Sequence, residues 1–276
     1  MAISNFTASI WAKEVLRALR KSLVYANVVN TDYEGDIKGK GSKVKINSIS
    51  DVTIGTYTKG SAISREQLSD AQQELEVTEQ DYFAFEVEDI DAAQTSSNLM
   101  AAAMESAGYG LKNAYDQFIA ALYSQASATN LVGTDGVPII PTAATFYEYV
   151  VDMNVLLDEA DVPEDGRWGI IPSWCHGLLL KDDRFTLFKD QAITQGKVAQ
   201  VDNMVLYKSN NVPNTTGTLY KLMFGHKQAI SAADQINKVE AFRPEDGFQD
   251  AVKGLHTYGA KVIRPSSLAV LTCSKS

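Results

Sequence analysis

Cysteine, histidine and tryptophan are scarce in this 276-residue chain, with two, three and three copies respectively. Two cysteines, Cys175 and Cys273, cannot build a disulfide-rich scaffold, and reduced thiols in a cytoplasm are the expectation. His176, His226 and His256 stand far apart, without the close Cys/His spacing that marks a zinc site. No apolar run approaches the ~20 residues needed to cross a bilayer. The start, "MAISNFTASIWAKEVL", lacks the sustained apolar stretch of an export signal. Neither a membrane partner nor secretion is expected. Basic residues are also in deficit, 25 against 34 acidic, for a formal net charge of -9. That balance opposes non-specific polyanion binding except at a local basic patch.

Catalytic signatures are missing too. "GDIKGKGSK" (35–43) has three residues between Gly35 and Gly39 where a phosphate loop needs four before its Gly-Lys pair. Neither a Gly-x-Ser-x-Gly elbow nor a His-Glu-x-x-His pair occurs. "DVPEDGR" (161–167) lacks the twelve-residue calcium-loop register and reads as a helix-ending turn. Trp174-Cys175-His176 gathers rare residues. Adjacent side chains diverge on a helix or strand, so the expectation there is packing rather than a metal or thiol centre. No catalytic residue, cofactor or metal site is assigned.

What is present is architecture. "IWAKEVLRALRK" (10–21) is amphipathic, with Trp11 and Leu16 on its apolar stripe, and so short a helix gains stability by docking on something. Residues 38 to 45 hold four lysines around the alternating Val44 and Ile46, the pattern of a β-hairpin. From Glu66 to Asp91 the sign reverses, with ten acidic residues and no Lys or Arg. The segregation fits either two solvated faces or complementary charge between neighbouring copies. "QDYFAFEVEDI" (80–90) reads as a strand with one well-buried face. An alanine-rich, proline-free helix follows over about 91–127, capped by Asp89 or Asp91 and anchored by Met104, Leu111, Phe118 and Leu122. At 1.5 Å per residue it would be a rod of roughly 55 Å, with Gly108 and Gly110 marking a bend or a close backbone contact. A second helix is expected over 143–160. Short strands and helices then alternate, including a short helix near Ala229 and two strands around a turn within 251–274. The fold class is mixed α+β, without the regular βαβ rhythm of a nucleotide-binding sheet.

In that order the chain resembles the major capsid proteins of tailed bacteriophages, with the HK97-type fold. Four stretches carry the resemblance: Glu86 to Tyr123, Gly166 to Phe185, Gly196 to Pro213, and Val252 to Leu271. It implies an N-terminal arm (1–31) and an extended β-hairpin loop (32–80). A peripheral domain with a long spine helix (81–129), an axial domain (130–240) and a return to the peripheral domain (241–276) follow. It further implies that many copies assemble as pentamers and hexamers into an icosahedral head. That head would be built in the bacterial cytoplasm with a scaffolding protein and a portal, and would enclose double-stranded DNA without sequence-specific binding. A decoration protein is a possible further partner. No charged coiled coil precedes the domain, so the resemblance points to scaffolding supplied separately or removed from a precursor. Candidate inter-subunit contacts are Trp11, Leu16, Lys38, Lys40, Lys43, Val44, Lys45, Ile46, Lys59, Arg65 and Glu66, with Val44 and Ile46 turned toward the neighbour. The alternatives are an encapsulin-like nanocompartment of the same fold, a phage tail-tube protein, and a soluble enzyme with an unrecognised site.

Overall fold

The computed structural model describes residues 23–32, 41, 43–49, 56, 59–60, 70–88, 99–182, 197–244 and 249–275. The expected helix over 10–21, the capping Asp89 and Asp91, and the candidates Trp11, Leu16, Lys38, Lys40, Arg65 and Glu66 lie outside these residues. So does the side chain of Lys45.

The described chain opens with a single helical turn, α1 (Tyr25–Val28), and continues into β1 (Lys43–Ile49), β2 (Asp70–Glu76) and β3 (Glu79–Glu88). The long helix α2 (Leu99–Ala121) and strand β4 (Leu131–Val132) come next, then α3 (Phe146–Glu159), β5 (Arg167–Ile171) and α4 (Ser173–Leu179). Strands β6 (Lys197–Val201), β7 (Met204–Lys208), β8 (Asn214–Thr215) and β9 (Leu219–His226) follow. The last three are β10 (Ile230–Phe242), β11 (Gln249–Val262) and β12 (Leu268–Ser274).

Three sheets organise the described residues. A seven-stranded sheet runs β4-β12-β9-β5-β7-β6, with β8 beside β9. Its central strand β5, "RWGII", is buried at every position, as expected of a strand covered on both faces. Gly169 in that strand is required by packing: a Cβ there would lie 2.6 Å from the Phe224 ring and 2.8 Å from Leu206. Helix α3 buries Phe146, Val150, Met153 and Leu157, one stripe at helical spacing. The second sheet, β10-β11-β3, is antiparallel, and the third is the two-stranded β1-β2 hairpin.

The spine helix differs from the sequence expectation at its end. It stops at Ala121, and Leu122, expected as a helical anchor, sits in the 3-10 turn Leu122–Gln125 while still buried. The cause is tertiary: Ser127 N–H donates to Pro265 O at 3.1 Å, and Gln125 Oε1 accepts from Val262 N–H at 3.2 Å. These bonds draw the chain off the helix axis. The described 23 residues span about 35 Å. Gly108 and Gly110 do not break the helix, and among the described residues a Cβ at either would meet nothing within 4 Å.

The expected short helix near Ala229 is a turn into β10. Ala229 N–H donates to His226 O, and Ala229 O accepts from Ile263 N–H at 2.8 Å and Arg264 N–H at 3.2 Å, so cross-chain pairing uses the groups a helix would need. The two strands expected within 251–274 form, but in different sheets: β11 lies between β10 and β3, whereas β12 lies between β9 and β4. The segment 268–274 is therefore hydrogen-bonded to strands drawn from 131–226.

Candidate assembly interface

The three-stranded sheet presents two different faces because residues alternate along β11. One face meets α2. Tyr258 contacts Tyr115 and Phe118 edge-on, with ring centroids 5.3 and 5.2 Å apart, and His256 lies 5.9 Å from Tyr115. Two carboxylates tie this face across the strands. Tyr258 OH donates to Asp81 Oδ2 at 2.6 Å, and His256 Nε2 stands 3.1 Å from Asp234 Oδ2. Burial, followed by the bond to Asp81, pushes the Tyr258 hydroxyl well up from its ordinary value. These aromatic contacts fix the spine helix on the sheet.

The opposite face receives the base of the β1-β2 hairpin. Leu75, Val77 and Ala233 form a small buried cluster, with Val44 and Ile46 packed against it. The register sets this orientation, because Val44 opposes Leu75 and Ile46 opposes Gln73. Val44 and Ile46 therefore pack on their own subunit at this level and are half-buried there. The hydrophobic term favours the nearer partner: Ala233 is already in place beneath them.

Lys43 points the other way and meets Glu74 Oε2 at 3.2 Å and Glu76 Oε2 at 3.4 Å. Bonding to Glu74 first, then its charge and that of Glu76, raises the Lys43 ammonium from its ordinary value. Part of the lysine-acid complementarity read from sequence is thus satisfied within one hairpin. Lys59, at a turn, is exposed. Met104 is half-buried, Leu111 is buried, and Phe118 packs on the core.

Beyond the hairpin base the same face of the sheet is open. Tyr82 is 78% exposed, and Phe242 is exposed beside Lys253, whose Nζ lies 5.1 Å from its ring centroid and 3.2 Å from Glu240. Tyr82 could have been picked out from sequence by the alternation in "QDYFAFEVEDI", where it falls on the opposite face to Phe83 and Phe85.

The N-terminal segment is tied into the same subunit. Val24, Tyr25, Val28 and Val29 are buried in the main core. Asp116, fully buried on α2, accepts at Oδ1 from the backbone N–H groups of Val24 at 2.9 Å, Tyr25 at 2.8 Å and Ala26 at 3.4 Å. Its Oδ2 accepts from Asn211 Nδ2 at 2.8 Å. One carboxylate therefore caps α1 and joins it to the spine helix and to the loop after β7. Burial is the larger influence on Asp116 and raises its carboxyl, while the hydrogen bonds pull it back. Sequence reading missed Asp116. The available signal was an acid set beside the apolar stripe Leu111, Tyr115, Ile119.

Trp174, Cys175 and His176 lie on α4, with Cys175 fully buried. Cys175 and Cys273 are free, buried thiols, and burial pushes both up, Cys273 to about 12. His176 is lowered by burial and then by Lys208. Among the described residues no group of three His, Cys, Asp or Glu is placed to hold a metal ion, and no helix is long and apolar enough to cross a membrane.

The comparisons with known proteins fit this arrangement. A family model described as phage capsid protein matches residues 47–271. No curated protein matches the sequence. Among solved structures, a chain of Mycobacterium phage Che8 is 25% identical, with TM-score 0.77 and 98% of each chain covered. The capsid structure of the cyanophage P-SCSP1u matches at 16% identity and TM-score 0.76, covering 98% of this chain and 93% of that one. The capsid of Ralstonia phage GP4 matches at 12% identity and TM-score 0.73, covering 98% and 95%. The last two show the fold. The family model covers most of the chain, whose helix-braced sheet carries a hairpin on its far face beside a seven-stranded body: the chain belongs to the phage capsid proteins and is a structural subunit of an icosahedral phage shell with the HK97-type fold.

Proposed function

We propose that this subunit encloses double-stranded DNA in a head of pentamers and hexamers, built in the bacterial cytoplasm with a scaffolding protein and a portal. A decoration protein on the outer surface is part of the same reading. Residues 1–31 act as the arm, 32–80 as the extended loop, 81–129 with 241–276 as the peripheral part and 130–240 as the axial part. The β-pairing of 268–274 with β9 argues for moving that last strand to the axial side.

The observation that carries the reading is the asymmetry of the hairpin. Among the described residues its base rests on its own sheet through the buried Leu75, Val77 and Ala233, with Val44 and Ile46 packed against them. Two-stranded hairpins are marginal alone in water, so this one gains order by lying across another surface. A neighbouring copy offers one in the exposed Tyr82 and Phe242 beside Lys253 and Glu240. Such contacts repeat around local rotation axes, and many weak ones per subunit sum to a stable shell. The net charge of -9 keeps packaged duplex from adhering broadly to protein.

Electron microscopy of particles purified from producing cells, followed by nuclease treatment and extraction of the contents, tests the reading. Closed shells with five- and six-subunit clusters and protected duplex DNA are expected. Shells that hold a protein cargo and no DNA would sink the genome-container reading in favour of a nanocompartment.

A further inference from the structure

Two glycines of β11 are close to other groups, and they differ in kind. At Gly254 an added Cβ would meet the Phe83 ring at 2.3 Å, a side chain that can swing aside. At Gly259 it would meet Glu76 O at 2.4 Å and the Val77 Cα at 2.7 Å, both main-chain atoms. The Gly259 backbone is not in the left-handed region, so conformational freedom does not explain the glycine there. Space does. Opposite Gly259 on β10 stands Ala233, itself small and buried, and together they make a notch. Through that notch passes the two-residue link, Val77-Thr78, between hairpin strand β2 and sheet strand β3. On its far side the hairpin is clamped twice: Gln73 Nε2 donates to Ile263 O at 3.0 Å, and Lys261 Nζ donates to Glu74 O at 3.1 Å.

We propose that Gly259 is a positioning residue for shell assembly, fixing the height and direction at which the hairpin leaves its own subunit. The inference rests on the reading of the hairpin as an inter-subunit element. A shift at the hairpin's root is carried into both strands that leave from it. A closed shell needs the same small set of contact angles repeated in every copy. A side chain at 259 cannot be absorbed by a rotamer change. It must lift the β2-β3 link off the sheet, which strains both clamps and the Leu75-Val77-Ala233 cluster together.

The experiment uses the full chain. For Gly259→Ala we expect a folded subunit whose amides in 43–49 and 70–76 exchange at least tenfold faster, while β9 and β12 exchange as before. Yield of closed particles of wild-type diameter, scored by electron microscopy, falls at least tenfold. A double variant, Gln73→Ala with Lys261→Met, loosens the seat without touching the notch and should shift both readouts the same way by less. Closed shells of wild-type diameter and yield from Gly259→Ala overturn the proposal. If that variant is insoluble the double variant decides: normal shells with unchanged hairpin exchange overturn it. A third chain, with 51–69 replaced by a short Gly-Ser turn, separates the premises. Wild-type assembly by it removes the hairpin reading and this proposal with it. Its failure to assemble, beside normal Gly259→Ala shells, removes the role of Gly259 alone.

Discussion

Arg167 and Lys43 are both cations held by carboxylates, one in the seven-stranded body and one on the hairpin. The Arg167 side chain is 1% exposed and the Lys43 side chain 47%. Arg167 pairs with Asp158 at 2.7 Å and donates to Asn154 Oδ1 at 2.7 Å, to Pro163 O at 3.0 Å and to Val162 O. Its guanidinium thereby collects the carbonyls left over where α3 ends and the 161–166 turn begins, and Asn154 passes the network on to Asp202 at 2.8 Å. Lys43 makes two ion pairs of ordinary length in water's reach, where screening and side-chain entropy leave little net gain. The body is held by interactions that have no substitute in solvent. The Lys43 pairs on the hairpin are ones that do.

The contrast can be broken most severely at Arg167. Arg167→Ala orphans several buried acceptors and opens a hole, so roughly 3–5 kcal/mol should disappear from the unfolding free energy. Urea unfolding of the dissociated subunit measures it, and a loss below about 1 kcal/mol would contradict the role given to this side chain.

Asp116→Ala comes next. It strips the partner from buried N–H groups of the N-terminal segment, at about 3 kcal/mol, and should make the chain before residue 30 newly sensitive to protease. Asp116 also carries a pH dependence. Its carboxyl is raised above the ordinary 3.8, so the folded chain binds that proton more tightly than the unfolded one. Its contribution is present below 3.8 and is lost as pH rises through the folded value. Asp116→Asn should flatten that part of the stability-pH curve, and an unchanged slope would count against the assignment.

Cys175→Ser sharpens the comparison more gently. It places a hydroxyl in an apolar site at about 1–2 kcal/mol, yet shell assembly should proceed. In the native subunit a thiol reagent at pH 8 should leave both cysteines unlabelled, and two should react after unfolding.

Smallest of all is Lys43→Ala. It should leave the denaturation midpoint of the subunit unmoved, and any effect should show only in assembly yield and its dependence on salt.

Much of the body was legible beforehand. Helix α3 and strands β5, β7 and β9 fall where "FYEYVVDMNVLLDE", "RWGII", "MVLYK" and "LYKLMFGH" place them, because burial on one stripe or on both faces writes itself into apolar periodicity. The ends of elements were less so. Nothing in "AALYSQAS" announces that the helix yields at Ala121, because the competing bonds come from Pro265 and Val262, over 130 residues away. The direction of Val44 and Ile46 was also closed to inspection. Alternation says that two residues share a face, not which surface that face meets.

The sequence by itself determined the fold class, the absence of recognised catalytic motifs, the positions of the main helices and strands, and the likeness to a shell subunit. The first three follow from local propensity, periodicity and spacing, which are properties of contiguous chain, and the likeness from a resemblance carried by four stretches of it. Only the tertiary structure decided that Asp116 joins three segments, that Arg167 is sealed inside the body, and that Gly259 is small because the main chain of residues 76 and 77 crosses it. Those contacts join residues 4 to 183 positions apart, and sterics and desolvation act on them in space and leave no local pattern to read.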